Sequence, residues 1–202
     1  MSESSREGLR NQLLMAGSSI DISEAEEKAD GILLAWYPGD RGGRAVAELL
    51  FGIESPSGKL PITFYRNEAL NGMPEFTDYS MENRTYRYYT GGPLSRFGFG
   101  LTYGDCIVKK YSIDKSSLTV TATVCNRGYR GTGNVLKVYL KDPSSRFAPQ
   151  TPVLCGFKKI YLFAGEEKTV TVPLGKQAFT VVDDSGNRIP CSENAAVYVS
   201  FD

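Results

Sequence analysis

The sequence predicts two units of different class: an α/β unit over residues 1–104 and an antiparallel β-sandwich over residues 105–202. Three observations predict this. Apolar runs and helical patterns alternate in the first half. The second half is dominated by period-two alternation with no helix between the runs. The character changes at Gly104-Asp105. A chain of 202 residues has room for two domains of about 100 residues each.

Taken in order, Gln12-Leu13-Leu14-Met15-Ala16 is a short apolar run ending at Gly17 and reads as a buried strand. Ser23 is positioned to cap a helix through Ala29, with Glu26 three residues on as in a capping box. Acidic residues in that first turn suit the helix dipole. Gly31 ends the helix, and Ile32 to Ala35 form a second strand, completing a βαβ unit. A glycine-rich loop, Trp36-Tyr37-Pro38-Gly39-Asp40-Arg41-Gly42-Gly43, leads into a helix over about Gly43 to Phe51 that Gly52 closes. Strand, loop, helix is the order in which α/β proteins present a ligand-facing loop at the carboxyl end of a strand.

From Glu54 to Tyr103 helix signals fade. Pro56-Ser57-Gly58-Lys59 is a turn, and Leu60 to Tyr65 reads as extended. Phe76, Tyr79, Tyr86, Tyr88, Tyr89, Phe97, Phe99 and Tyr103 read as anchors that glue down a wrapping segment, rather than as a sugar-stacking platform. Beyond Asp105, strands are expected at Leu118–Cys125, Asn134–Lys141, Lys158–Leu162, Lys168–Leu174, Ala178–Val182 and Ala195–Phe201. About seven short strands in about 100 residues indicate a sandwich.

Composition narrows function. Lys+Arg and Asp+Glu are both 23, so no basic excess exists to neutralise phosphates, and nucleic acid is not expected as a partner. No run of about 18 apolar residues spans a bilayer. The opening residues Met1 to Glu7 are polar with no signal-type apolar core, so the chain as given reads as cytoplasmic, although a signal on an upstream segment stays open. There is no histidine, which removes Ser-His-Asp and Cys-His nucleophile systems and histidine-based zinc sites. Cys106, Cys125, Cys155 and Cys191 are widely spaced and read as small buried thiols; a bridge between them stays open on the sequence. No cofactor or metal is expected.

The loop and the segments after it resemble a known family. Ala35 to Gly39, Gly42 to Gly52, Pro56 to Phe64, Asp78 to Met81, Arg84 to Tyr88 and Phe97 to Tyr103 resemble, in order, the carboxy-terminal α/β-sandwich domain of glycoside hydrolase family 3. The second half resembles the fibronectin type III-like domain that follows it, through Asn126-Arg127-Gly128, Gly133, Val138-Tyr139-Leu140, Leu154 to Lys159 and Ala164-Gly165-Glu166. On this resemblance the fold is a truncated α/β sandwich followed by a fibronectin type III-like β-sandwich. Asp78 to Tyr88 looks closest to the bacterial β-xylosidase-like and β-glucosidase-like members. One departure is Glu24, where relatives often carry Trp.

The resemblance implies a retaining β-glycosidase with two carboxylates, one nucleophile and one general acid/base. It places the nucleophilic Asp in an amino-terminal (β/α)8 barrel and the acid/base Glu upstream of the matched segment. No catalytic residue is therefore expected in this chain, which would be inactive alone as a fragment or split subunit. Its implied role is to support the barrel and shape one wall of the sugar pocket, with Trp36, Asp40 and Arg41 on the substrate-facing loop. Beside that reading, Gly39, Gly42 and Gly43 simply allow a tight strand-to-helix turn. Arg84 and Arg87, alternating with Tyr86 and Tyr88, read as ion pairs or stacking that fix the wrapping segment. Asp40, Glu75, Asp78 and Glu82 are the local carboxylates, but a retaining pair must stand about 5–5.5 Å apart, and nothing in their spacing demands that. The partners implied are a carbohydrate substrate and a barrel-bearing catalytic domain or subunit. An apolar sheet edge near Leu13 to Ala16 also invites a homodimer. The alternative is a stand-alone carbohydrate-binding or protein-interaction module, for which Tyr129, Phe147 and Tyr161 are candidate stackers, scattered rather than grouped.

Overall fold

The computed structural model describes residues 10–202, so the polar opening Met1 to Glu7 lies outside it. The first half starts with strand β1 (Asn11–Leu14), helix α1 (Ser23–Lys28) and strand β2 (Gly31–Leu34). The two strands pair in parallel, Leu13 opposite Leu33, as a βαβ crossover requires. The helix starts as expected but is capped differently. Ile22 occupies the N-cap position and makes no side-chain cap bond. Asp21 takes over: its Oδ1 accepts the Ser23 N–H at 2.9 Å and the Ser23 hydroxyl at 2.5 Å. An aspartate two residues ahead competes for the N–H by forming an Asx turn, and Ser23 becomes the first helical residue.

Helix α2 (Gly42–Leu50) is closed by Gly52 at φ +66°. Gly52 N–H donates to Leu49 O at 3.0 Å and Ile53 N–H to Glu48 O at 2.8 Å, the paired bonds of a Schellman terminus. Two single helical turns follow, α3 (Asn67–Leu70) and α4 (Thr85–Tyr88). The expected extended segment makes one bridge, Phe64 to Ser95, and among the described residues of this half Phe64 is the one large side chain that is fully buried, at 2 % exposure. The aromatic anchors divide. Tyr86 stacks on Phe97 (4.1 Å between ring centres, 10° between planes), and Tyr65 meets Tyr89 edge-on at 4.9 Å. Phe76 and Tyr79 anchor nothing: each is 89 % exposed.

The second half has eight strands. β3 (Cys106–Asp114), β4 (Thr119–Asn126) and β7 (Glu167–Pro173) form one antiparallel sheet in the order β3-β4-β7. β5 (Thr132–Lys141), β6 (Val153–Leu162) and β10 (Ala196–Ser200) form the other, in the order β10-β5-β6. β8 (Thr180–Val182) and β9 (Arg188–Pro190) make a separate hairpin. Val120, Ala122 and Val124 from β4 face Leu136, Val138 and Leu140 from β5, with Val172 and Phe201 completing the core. Strands β3 and β9 and the first residues of β6 are not expected from periodicity. A register shift between Val108 and Lys110 breaks the alternation of β3, and another at Val138/Tyr139 leaves Cys155 of β6 out of the pairing. All four cysteines are free thiols. Burial pushes the Cys155 thiol up to about 11, and its Sγ donates to Val138 O at 3.3 Å.

The outer face of β5 is not solvated, because the first half covers it. Lys137, opposite in pleat to Leu136 and Val138, is 3 % exposed and donates from Nζ to Gly98 O at 2.6 Å. Lys59 donates likewise to Gly100 O at 2.5 Å. Burial pushes the Lys137 ammonium down to about 8, with the nearby Lys59 charge adding to it. The sign follows from linkage. Below pH about 8 folded and unfolded chains both hold the proton, so the burial penalty is fully present. Between about 8 and the unfolded value of 10.5 only the unfolded chain holds it, so stability rises with pH. Tyr139 and Cys155, pushed up to about 12 and about 11, act in the opposite direction above their ordinary values. The gain is therefore isolated by subtraction. The unfolding free energy of the native chain minus that of K137M is expected to climb from pH 8 to 10.5, measured by urea denaturation across that range. A flat difference contradicts the assignment.

Candidate functional site

The loop at the carboxyl end of β2 is shaped by two backbone requirements. Trp36 sits at φ +51° and Gly39 at φ +69°. Glycine adopts that region freely, whereas an aromatic residue is strained there. Trp36 is held in place by Phe64, whose ring meets it edge-on at 6.3 Å. Gly42 is buried under Pro38: a Cβ at Gly42 would stand 2.4 Å from the proline Cβ. Tyr37 lies over the backbone of Gly17, where a Cβ would meet its hydroxyl at 1.9 Å. The loops after β1 and β2 thus meet at one end of the two-stranded sheet.

Asp40 and Arg41 stand exposed on this loop, and among the described residues neither is engaged in an ion pair. Gly43 is exposed, and a Cβ there would meet nothing within 4 Å. The site therefore offers one cation, one anion and the Trp36 ring around a rigid turn.

The two arginines of the aromatic segment act differently from one another. Arg84 donates from Nη2 to the carbonyls of Pro74 (2.7 Å) and Glu75 (2.9 Å), pinning the segment through backbone oxygens rather than through an ion pair. Non-glycine residues at positive φ flank it, Met81, Asn83 and Thr85. Arg87 is exposed and lies 5.9 Å from the Tyr86 ring centre. Among the described residues, every carboxyl whose titration is displaced is displaced downward: Asp21, Glu24, Asp78, Asp114 and Asp142. A general acid needs the opposite shift. Asp78 is lowered chiefly by the Ser80 N–H, which donates to it at 2.8 Å. No group of three or more His, Cys, Asp or Glu residues that could hold a metal ion occurs among the described residues.

Asp21 is the residue the sequence reading passed over. Besides capping α1 it accepts the Asn67 N–H at 2.7 Å through Oδ2, and Arg66 donates to Ser23 Oγ at 2.8 Å. This network ties α1 to α3 behind the loop. The Ser23 hydroxyl and the Asn67 and Ser23 amides hold the Asp21 carboxyl down to about 2. The only sequence signal was Asp-x-Ser at 21–23, a pattern that also occurs in ordinary turns.

Comparison with known proteins bears on what such a loop serves. The model described as "Glycosyl hydrolase family 3 C-terminal domain" matches residues 11–103, and the one described as "Fibronectin type III-like domain" matches residues 134–200. The chain is 34 % identical over 176 residues to the xylan 1,4-β-xylosidase of Xylanibacter ruminicola, covering 85 % of this chain and 20 % of that protein. It is 33 % identical to the periplasmic β-glucosidase of Salmonella typhimurium, covering 82 % of this chain and 24 % of that protein. Among solved structures, DesR, a β-glucosidase from Streptomyces venezuelae in complex with D-glucose, aligns with a TM-score of 0.80 at 28 % identity, over 95 % of this chain and 27 % of the other. The chain thus spans about a fifth to a quarter of the length of the curated relatives it matches.

Proposed function

Because the chain belongs to glycosyl hydrolase family 3, we propose that it serves as the non-catalytic C-terminal portion of a β-glycosidase acting on β-glucosides or β-xylosides. Its first half docks on a barrel-bearing catalytic domain or subunit, with Trp36, Asp40 and Arg41 on the wall of the sugar cleft. We place the division between its two units at Gly104-Asp105. The observation that carries this reading is the burial pattern of the first half. Among the described residues its only buried hydrophobic side chains are Ala25 and Phe64, whereas Met15 (68 %), Phe51 (83 %), Ile53 (69 %) and Phe76 (89 %) are exposed. Apolar exposure on that scale supports a partner that covers this half.

The test is complementation. The chain alone is expected to hydrolyse neither a chromogenic β-xyloside nor a β-glucoside, and to gain turnover when mixed with the separately produced barrel-bearing part of a family relative. In that mixture Arg41→Ala is expected to raise KM severalfold with little change in kcat, the signature of lost substrate contact without lost chemistry. Turnover by the purified chain alone overturns the reading, as does a mixture that neither associates nor turns over. Among the described residues β1 is paired on one side only, which, with Leu13 44 % exposed, supports a second arrangement in which two copies pair when the barrel is absent. Light scattering that stays monomeric at high concentration rules that out.

A further inference from the structure

At one end of the β-sandwich the loops before β6 and before β8, together with the β8–β9 hairpin, enclose a cleft of about 320 Å³. That is the lower range of small-molecule sites, about 300–1,000 Å³. Its floor is apolar, built from Leu140, Val153 and Val181. Tyr88 and Phe147 line it with aromatic surface, and Arg87, Arg188 and Gln177 add polar groups. A second hollow of similar volume continues past Cys155 and Gly175 towards Phe157.

Both halves of the chain build the cleft, and their junction is held. Thr151 Oγ1 donates to Tyr86 O (2.5 Å) and Arg87 O (2.9 Å), and the Leu154 N–H donates to the Tyr86 hydroxyl at 3.1 Å. The wall carrying Arg87 and Tyr88 is therefore fixed to β6.

The charges of the lining do not balance. Asp142 is its acidic member, and both its oxygens are already used: Ser192 donates to them from N (2.7 Å) and Oγ (2.5 Å), and Ser144 from N at 3.2 Å. Arg146, over the Phe147 ring at 4.5 Å, is committed to Asp184 at 2.8 Å. Arg188 makes one bond, to Thr180 Oγ1 at 3.2 Å, and Arg87 rests on Tyr86. Among the described residues no carboxylate pairs with either. Two guanidinium forks on a half-apolar, aromatic-lined cleft suit a ligand with a carboxylate and a flat apolar face.

We propose that this cleft binds a carboxylate-bearing sugar, a uronosyl unit, with Arg87 and Arg188 receiving the carboxylate and Tyr88 and Phe147 the ring. The choice of a sugar over another small organic acid rests on the glycosidase reading above. The carboxylate preference does not.

The experiment is calorimetric titration of this chain with D-glucuronate, D-glucose, acetate and inorganic phosphate, repeated with R87Q and R188Q. Glucuronate is expected to bind saturably, with each variant weakening it about tenfold. Glucose, acetate and phosphate should each bind more weakly than glucuronate. Phosphate or acetate binding as tightly as glucuronate overturns the proposal in favour of a plain anion patch. Glucose binding as tightly overturns the role of the arginines, as does unchanged affinity in both variants. Arg188 is exposed on a paired strand, so R188Q is expected to keep the fold and a weakened affinity cannot be blamed on misfolding. Because the readout is binding by this chain, failed complementation with a barrel leaves it standing, and its failure leaves the complementation result untouched.

Discussion

Asn126→Ala is expected to destabilise the β-sandwich by about 3–5 kcal/mol, the loss of four hydrogen bonds at a buried site. Asn126 is 0 % exposed and every polar atom of its side chain is used. Oδ1 accepts the amides of Asp105 and Gly128, each at 3.0 Å. Nδ2 donates to Arg130 O at 2.7 Å and Leu162 O at 3.3 Å. Its backbone joins the turn at Gly165: the Gly165 N–H donates to Asn126 O and the Asn126 N–H to Glu166 O, both at 3.0 Å. Alanine leaves two amides and two carbonyls unpaired. Asn126→Asp recovers little, because it turns a carboxylate oxygen towards the two carbonyls. For a domain of about 100 residues the loss lowers the melting temperature by about 10 °C or more. Calorimetric melting checks it, and a shift under about 4 °C, close to 1 kcal/mol, contradicts the account.

Phe64→Ala is expected to cost about 3–5 kcal/mol, the usual range for emptying a buried phenylalanine site, and to act on the first half alone. That half has little else inside it: among its described residues Phe64 and Ala25 are the buried hydrophobic ones. The Phe64 backbone also accepts the Leu94 and Ser95 amides (2.9 and 3.3 Å) and donates to Ser95 O (2.9 Å), so the cavity opens beside the segment bridged to it at Ser95. Trp36 is the single tryptophan of the chain and leans on the lost ring, so its fluorescence should shift to longer wavelength. Proteolysis should begin between residues 60 and 100 while the β-sandwich stays intact, since its core shares no buried hydrophobic residue with the first half. Unchanged Trp36 emission together with unchanged proteolysis would falsify this role for Phe64.

Much of the fold was legible because it depends on neighbours in sequence. The parallel β1–α1–β2 unit follows from apolar runs separated by a helical pattern, and the end of α2 from one glycine able to take positive φ. The alternation at 118–125 and 134–141 set the two inner faces correctly. Misreadings arose where a local pattern was interrupted or outcompeted. A bulge hid β3, and Asp21 displaced Ser23 from the cap. The aromatics of the wrapping segment look alike in sequence, yet Tyr86 finds a stacking partner while Phe76 and Tyr79 find none within the described residues. The candidate loop was visible from its glycines and its place after a strand. What seats Trp36 on it was not, since Phe64 lies 28 positions away (64 − 36).

By itself the sequence determined class, order and kinship: an α/β unit, then a β-sandwich, in the pattern of one glycosidase family. These are carried by periodicity, turn chemistry and short motifs, each a property of a few consecutive residues. Tertiary structure alone decided that Lys137 is buried between the halves, that Asn126 closes a four-bond knot, and that Arg87 and Arg188 border one cleft. Lys137 meets Gly98 39 positions away, and Asn126 joins its local turn at Gly128 and Arg130 to Asp105 and Leu162, 21 and 36 positions away. Desolvation and hydrogen-bond satisfaction depend on what arrives from elsewhere in the chain, and a local pattern of residues does not encode that.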